Sequence, residues 1–572
     1  MADLPPPSPG PSPSPRIPRA MSSPPTSTLA IERVDVSRHQ LAISLRVHTL
    51  SFRTSLWYAD VDFDALAAAH GEGAVEALVF HIAAIEAAKL ASLKPAHFDL
   101  GPYRHRHTVA FEAMWRAVFD GVWAQWRYEH NLPGYPGPAF TSNPVDAGVQ
   151  PKRGGEGADH RNGSGCGGGG GGGAAAVPPP APPPPSSPVA TIPPPVMDGV
   201  TVAAFCGGGK DSLVTAKLLE GAGVPYASVA YAASVYGRAA PQHALLDKLL
   251  DTCAPASRHR LWMHDDVMDA PVVALHPELN VHSITAAETP LSVFAALPLA
   301  LARGYSLLLL GHEASANVGN LVWAATGEAI NHQWGKSAAA EAVLNTYIRK
   351  HLLRGVGVSS LLAPIHDPLI FYALNAHPRG LAATHSCNVA KPWCGACPKC
   401  VYVWLGYMAF CPPAAVGHVF GGRNLADAPS SVPHLRALCG LTAHTPFECV
   451  GQVGEARLAL ELGVRRGAVG GRALDAIRGE LPAWGGGAGA VKGGVGGWGE
   501  GGRPFLTVAP AAPSLPRELA ARIMPQLHVL ASTTAAYVNK VMGEQPERGG
   551  GGALGGGEGA TSSQGRRVNP LN

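Results

Sequence analysis

The run Val202-Ala-Ala-Phe-Cys-Gly-Gly-Gly-Lys-Asp-Ser-Leu-Val214 constrains this chain more than any other segment. An apolar stretch of strand character passes through three glycines and a Lys-Asp-Ser triplet directly into residues that favour a helix. The segment therefore reads as a strand, a tight loop and a helix N-terminus. Without Cβ atoms, Gly207, Gly208 and Gly209 let the backbone turn sharply and bring its N–H groups against an anion. A helix expected over 213–219 adds unpaired N–H groups and the positive end of its dipole. Lys210 supplies a point charge, Asp211 is placed to hold a Mg²⁺ ion bridging phosphates, and Ser212 opens the helix. The combination predicts a cradle for nucleotide phosphates. The spacing is not that of Gly-x-x-x-x-Gly-Lys-Ser, and Gly-x-Gly-x-x-Gly is absent.

Beyond the loop, short apolar runs at 226–231, 258–263 and 305–310 alternate with helix-length segments at 242–252 and 291–302. Such alternation predicts an α/β fold, a doubly wound parallel sheet covered on both faces, with ligands beyond the carboxyl ends of its strands. This catalytic domain is expected over 200–467, with a smaller N-terminal domain over 31–140, each long enough to bury its own core. The rest is biased in composition. Residues 1–30 are rich in Pro and Ser, 141–199 pass through polyglycine into polyproline, and 468–572 form a low-complexity tail. These read as disordered segments and linkers. One helix is expected in the tail, at about 516–542, where Leu519, Ile523, Leu527 and Leu530 recur at helical spacing and predict docking on the core or on a partner.

Charge narrows the partners. The net charge is +3 with 15% charged residues, and Lys and Arg are scattered, so no nucleic-acid partner is expected. The most apolar stretch, 291–310, is broken by Pro298, Arg303 and Gly304 and reads as a buried helix and strand rather than a membrane span. The first thirty residues lack the apolar centre of a secretory signal but carry Arg16, Arg19, many hydroxyl residues and the single acid Asp3, as a transit peptide would. A soluble protein of the cytoplasm or of a plastid stroma is expected.

Chemistry-bearing residues gather after the strand ending at 310. Gly311-His-Glu-Ala-Ser-Ala-Asn-Val-Gly-Asn320 is followed by Ile330-Asn-His-Gln-Trp-Gly-Lys-Ser337. Glu313 is suited to bind Mg²⁺ or accept a proton, and His332 and Lys336 to act as general base or to hold a carboxylate or phosphate. Loop caps and surface charges are the alternative for any one of them alone. Further on, Cys387, Cys394, Cys397 and Cys400 stand with gaps of six, two and two residues. Four thiolates so spaced suit tetrahedral zinc, and an iron–sulfur cluster or reduced structural thiols remain open.

The glycine loop resembles the Ser-Gly-Gly-x-Asp-Ser loop of the ATP pyrophosphatase (PP-loop) superfamily, whose members split ATP into AMP and pyrophosphate; Gly207 stands where that superfamily has its first serine. The cysteine run is similar to the zinc site of the 7-cyano-7-deazaguanine synthases. Taken in order, Gly-Gly-Gly-Lys-Asp-Ser, Gly-His-Glu-x-Ser-Ala-Asn, Asn-His-Gln-Trp-x-Lys-Ser, Ser-Cys-Asn…Trp-Cys-Gly-x-Cys-Pro-Lys-Cys and Pro446-Phe-Glu-Cys-Val-Gly451 resemble the UDP-N-acetyl-α-D-muramoyl-L-alanyl-L-glutamate epimerase family. Residues 81–94 and 111–131 are similar to that family's first domain. Two positions depart from its pattern: His312 in place of Asn, and Trp334-Gly335 in place of Tyr-Ser.

The resemblance implies an α/β sheet of PP-loop (adenine nucleotide alpha hydrolase-like) type. It further implies ATP- and Mg²⁺-dependent inversion of the terminal L-glutamate of a UDP-muramoyl dipeptide, with AMP and diphosphate formed. Gly208, Gly209, Lys210, Asp211 and Ser212 would hold the nucleotide; Glu313, His332 and Lys336 would be catalytic; Asn317, Asn331 and Glu448 would contact substrate; and the four cysteines would hold zinc. Phe447 and Cys449 would complete a wall, with Cys449 either a proton carrier or an inert buried thiol. The alternatives are a PP-loop amide or nitrile synthetase, a tRNA-modifying PP-loop enzyme, against which the scattered charge speaks, and a non-catalytic nucleotide-binding protein.

Overall fold

The computed structural model describes residues 27–145, 188–267, 269–270, 276, 284–481 and 502–543. Of the segment 1–30 expected as transit peptide or disorder, residues 1–26 lie outside the described residues while 28–30 open the first strand, and most of the Gly/Pro linker and the low-complexity parts of the tail also lie outside the described residues. At the N-terminus β1 (Thr28–Ser37), β2 (Gln40–Val47) and β3 (Leu50–Tyr58) form an antiparallel meander. Strict alternation in β2 turns Leu41, Ile43, Leu45 and Val47 to the interior. They meet the helix Glu72–Ala87, whose residues are nearly all apolar and buried. β4 (His97–Asp99) and β5 (Ala139–Phe140) extend the same sheet beside β1.

The chain then runs through β6 (Ala190–Thr191), β7 (Val202–Phe205), β8 (Tyr226–Ala233), β9 (Ser257–Asp265) and β10 (Leu307–Leu310). It continues through β11 (Leu321–Val322), β12 (Ala329–Ile330), β13 (Leu353–Arg354) and β14 (Gly357–Ser360). The large sheet has ten strands in the order β14-β10-β7-β8-β9-β3-β2-β1-β4-β5. Its half from β14 to β9 is wholly parallel. There the first strand in the chain, β7, is central, with β8 and β9 on one side and β10 and β14 on the other, so the strand order reverses between β7 and β10.

Both faces of this half are covered, as the expectation of double winding requires. Val202, Ala204, Leu307 and Leu309 enter one core, while Ala203, Leu308 and Leu310 enter the other. That is why β10 is a bare run of four buried leucines. The helices predicted at 213–219, 242–252 and 291–302 are present as Lys210–Gly221, Ala239–Leu250 and Glu288–Arg303. Among the described residues no helix is long and apolar enough to cross a membrane.

One expectation is corrected. The segment 31–140 does not bury a core of its own, because β3 pairs antiparallel with β9 from Thr54↔Asp265 to Tyr58↔Leu261. A single apolar core joins Ile43, Phe80 and Trp115 to Val229, Leu261 and Phe294. The meander covers an edge of β9 that would otherwise present unpaired N–H and C=O groups. At this seam the buried Lys89 ammonium donates to Thr54 Oγ1 at 2.8 Å and to the carboxylates of Glu86 and Asp265. The helix expected in the tail spans Arg517–Met542, and its Leu519, Ile523, Leu527 and Leu530 are buried against the opposite core. It docks on the chain itself.

Candidate functional site

β7 ends at Phe205, and the loop turns at the point where the strand order reverses. Gly207 N–H donates to Ser212 Oγ at 3.0 Å, drawing the loop over the helix start. Gly208 has φ +84°, and a Cβ there would stand 2.1 Å from His385 Nε2, so both its conformation and its neighbour demand glycine. The backbone N–H of His385 donates to Gly208 O at 2.8 Å and fixes the turn. Gly209 caps the helix Lys210–Gly221 without a side-chain hydrogen bond, leaving the first-turn N–H groups to an anion.

Lys210 is buried with its Nζ 2.6 Å from both Asp211 Oδ1 and Asp367 Oδ1. Burial works against its charge, but Asp211, Asp367 and Glu313 outweigh it and hold the ammonium well above its ordinary pKa. Asp367 is fixed in turn, accepting from Tyr402 Oη at 2.7 Å and donating its N–H to Glu455 Oε1 at 3.0 Å. Ser315 Oγ donates to Glu455 Oε2 at 2.7 Å, tying the loop after β10 to this network. Glu313, in that loop, has its carboxyl pushed up to about 8 by burial and by Asp367. Asp211, Glu313 and Asp367 are hard oxygen donors of the kind Mg²⁺ takes, and Lys210 already engages an oxygen of two of them.

Beside the loop lie two cavities. The smaller, of about 160 Å³, is lined by Gly207, Tyr231, Gln242, His385, Ser386, Lys391 and Lys399 among others. The larger, of about 420 Å³, is lined by Gln125, Trp126 and Glu129 of the helix Val109–Glu129, by His332 and Lys336, and by Glu448 and Cys449. Tyr236, Glu288 and Asn388 line both. Lys336 Nζ donates to Cys449 Sγ at 2.9 Å. Burial alone would raise the thiol's pKa, yet the Lys336 ammonium, helped by a hydrogen bond from His332, holds it well below the ordinary thiol range. His332 Nδ1 lies 2.7 Å from Gln125 Oε1, and Gln125 Nε2 donates to Glu129 Oε1 at 2.9 Å. Tyr236 Oη donates to Glu288 Oε2 at 2.6 Å, and burial raises the pKa of Glu288. Asn388 Nδ2 donates to Glu448 Oε2 at 3.3 Å.

Of the residues singled out in the sequence, His332, Lys336 and Glu448 meet in the larger cavity, whereas Glu313 stands with the phosphate loop. Asn317 and Asn331 meet neither cavity. Asn317 donates to Ala314 O and accepts from Ala338 N–H, and Asn331 donates to Ala316 O and accepts from Gln333 N–H. Both amides shape their loops. Gly335 lines the larger cavity, while the Trp334 ring packs over Gly121, where a Cβ would stand 2.1 Å from it. His312 is half-buried beside Ser360 Oγ at 3.3 Å, and desolvation lowers its pKa to about 3, so it is neutral. Sequence reasoning missed Gln125, Glu129, Tyr236, Glu288 and Asp367. The first two look like any polar positions of an amphipathic helix, and Asp367 is marked only by its place before Pro368 at a helix start.

The four cysteines converge. Their sulfurs all lie within 4.8 Å of one another, with Cys387 to Cys397 at 3.8 Å and Cys394 to Cys400 at 3.7 Å. Zn–S bonds of about 2.3 Å in a tetrahedron place sulfurs about 3.8 Å apart. Backbone N–H groups of Val389, Ala390, Ala396 and Cys400 donate to these sulfurs at 3.3–3.4 Å, which favours thiolates. The donor set fits one zinc ion.

A sheet parallel in one half, with a glycine-rich loop at its reversal point and two adjoining cavities lined by titratable groups, defines an α/β protein with a candidate site beyond its strand ends. The comparisons are more particular. A family described as the MurL N-terminal domain matches residues 279–361, and one described as the MurL C-terminal domain matches residues 382–482. The first match holds Glu313, His332 and Lys336; the second holds the four cysteines, Glu448 and Cys449.

Three curated relatives carry the name UDP-N-acetyl-alpha-D-muramoyl-L-alanyl-L-glutamate epimerase. That of Micromonospora sp. is 31% identical over 45% of this chain and 55% of its own length. That of Salinispora tropica is 34% identical over 30% of this chain and 39% of its own. That of Xanthomonas oryzae pv. oryzae is 30% identical over 44% and 54%. The resemblance read from the motifs is thus to the same epimerases that the comparisons find, over about half the length of the relatives or less. No solved structure matches the chain.

Proposed function

We propose that the protein is an ATP- and Mg²⁺-dependent epimerase. It inverts the terminal L-glutamate of UDP-N-acetylmuramoyl-L-alanyl-L-glutamate to D-glutamate, with AMP and diphosphate formed, in the supply of peptidoglycan precursor. The observation that carries this reading is the wall of Tyr236, Glu288 and Asn388, which the loop-side cavity shares with the cavity of acid–base groups. Activation and proton transfer need such neighbouring compartments. The α-hydrogen of a free carboxylate is a very weak acid, because the carbanion would form beside a negative charge. Joining the carboxylate to AMP removes that charge and lets the acyl carbonyl accept the electron pair.

Gly208, Gly209 and Ser212 shape the loop that would receive the phosphates, and Lys210 adds a buried positive charge held by Asp211 and Asp367. The curated relatives' printed name supports the substrate, as does the presence of His332, Lys336 and Glu448 in the matched segments. The cysteine cluster, whose sulfurs gather among themselves, serves as a structural zinc site that anchors the cavity-lining segment 386–391.

The test is direct. The protein is incubated with Mg·ATP and UDP-N-acetylmuramoyl-L-alanyl-L-glutamate, and AMP release is followed together with chiral analysis of the glutamate. AMP with D-glutamate is the expected result. AMP without inversion would send the search to another carboxylate substrate, an amidated product would identify a synthetase, and the absence of both activities would remove the reading.

A further inference from the structure

Inversion requires a group that accepts the α-proton, and the residues first considered for it are poorly placed. Glu313 stands beside Lys210 and Asp367 and lines neither cavity. Lys336 is held as an ammonium by the buried anions around it and has no lone pair to offer. His332 directs Nδ1 to Gln125 and bonds to Cys449 besides. Cys449 is different. It lines the 420 Å³ cavity with Lys336 and His332, and its Sγ lies 2.9 Å from the Lys336 ammonium. An ammonium at hydrogen-bond distance in a buried site favours the thiolate, the form that can take a proton.

We propose that the Cys449 thiolate is the base that removes the α-proton of the activated glutamyl residue, an assignment that rests on the epimerase reading. The Cα–H bond breaks, an S–H bond forms on Cys449, and the electron pair moves into the adjacent acyl carbonyl as an enolate. A proton carried on the Tyr236–Glu288 pair, which lines the same cavity, returns to the other face of the carbon. The carbonyl re-forms, the carbon is left in the D configuration, and the Cys449 proton passes to solvent, while solvent re-protonates the tyrosine pair. Lys336 is a positioning residue, since it acts through the sulfur.

The experiment separates activation from proton transfer. Exchange of labelled pyrophosphate into ATP reports adenylation, and formation of D-glutamate in deuterated water reports inversion. Cys449→Ala and Cys449→Ser keep pyrophosphate exchange within about threefold of the parent but lose inversion and α-deuterium uptake by about 10²-fold or more. Inversion within tenfold of the parent in either variant would overturn the assignment. Loss of exchange in both variants would also overturn it, in favour of a packing role for the sulfur. Failure of the parent protein itself to invert the substrate is a separate result, and it removes the epimerase reading along with the base.

Discussion

At the scale of single residues, the glycine loop was the most legible part of the fold because its geometry is local. Three glycines between an apolar run and a helix-forming segment predict the strand, turn and helix start that are present, and Gly208 with φ +84° against the His385 ring is the position where glycine is obligatory. Gly208→Ala is expected to abolish AMP formation, since the added methyl would meet the buried His385 ring and force the loop out of its left-handed turn; AMP release from Mg·ATP and the dipeptide substrate checks this. Asp367 was not legible, because its partner Lys210 lies 157 positions away. Glu313 gives a pH signature. Its carboxyl is raised from 4.5 to about 8, so folding takes up a proton there. The stability this group contributes is complete below its ordinary pKa and is lost as pH rises through about 8. Glu313→Gln is expected to flatten that part of the fall, as read from thermal midpoints of the ligand-free protein between about pH 5 and pH 8.

Among the elements, those with a strong period in the sequence were found close to their expected bounds. The Arg517–Met542 helix is the clearest case, with Leu519, Ile523, Leu527 and Leu530 on one buried stripe. Leu527→Ala should lower stability by about 2–5 kcal/mol in denaturant titration, the usual range for a large aliphatic side chain removed from a packed site. The cysteine segment was legible by spacing alone, and the fold brings its sulfurs within 4.8 Å. A zinc ion measured at one per chain, with a lowered thermal midpoint after chelation, is the expected outcome there; a metal-free preparation of unchanged midpoint would leave four reduced thiols. What the period could not reveal was the role of the helix Val109–Glu129. Its polar residues Gln125 and Glu129 are surface positions by pattern and cavity wall by placement.

In the whole molecule, the sequence divided where the structure does not. Composition marks a break between 141 and 199, and a separate N-terminal core followed from it. Strand pairing takes no account of such breaks. The Thr54↔Asp265 register spans more than two hundred positions, and nothing in either segment announces the other. The consequence is one cooperative body, so a single thermal transition is expected when far-ultraviolet circular dichroism and tryptophan fluorescence are followed together. Two separated transitions would show that the meander folds alone.

The larger cavity draws its walls from the helix Val109–Glu129 near one end of the chain and from Glu448 and Cys449 near the other. Translation therefore makes the phosphate loop long before it makes the sulfur. A chain ending before Glu448 lacks both Cys449 and Glu455, the residue to which Asp367 donates, so the loop and the compartment are completed together.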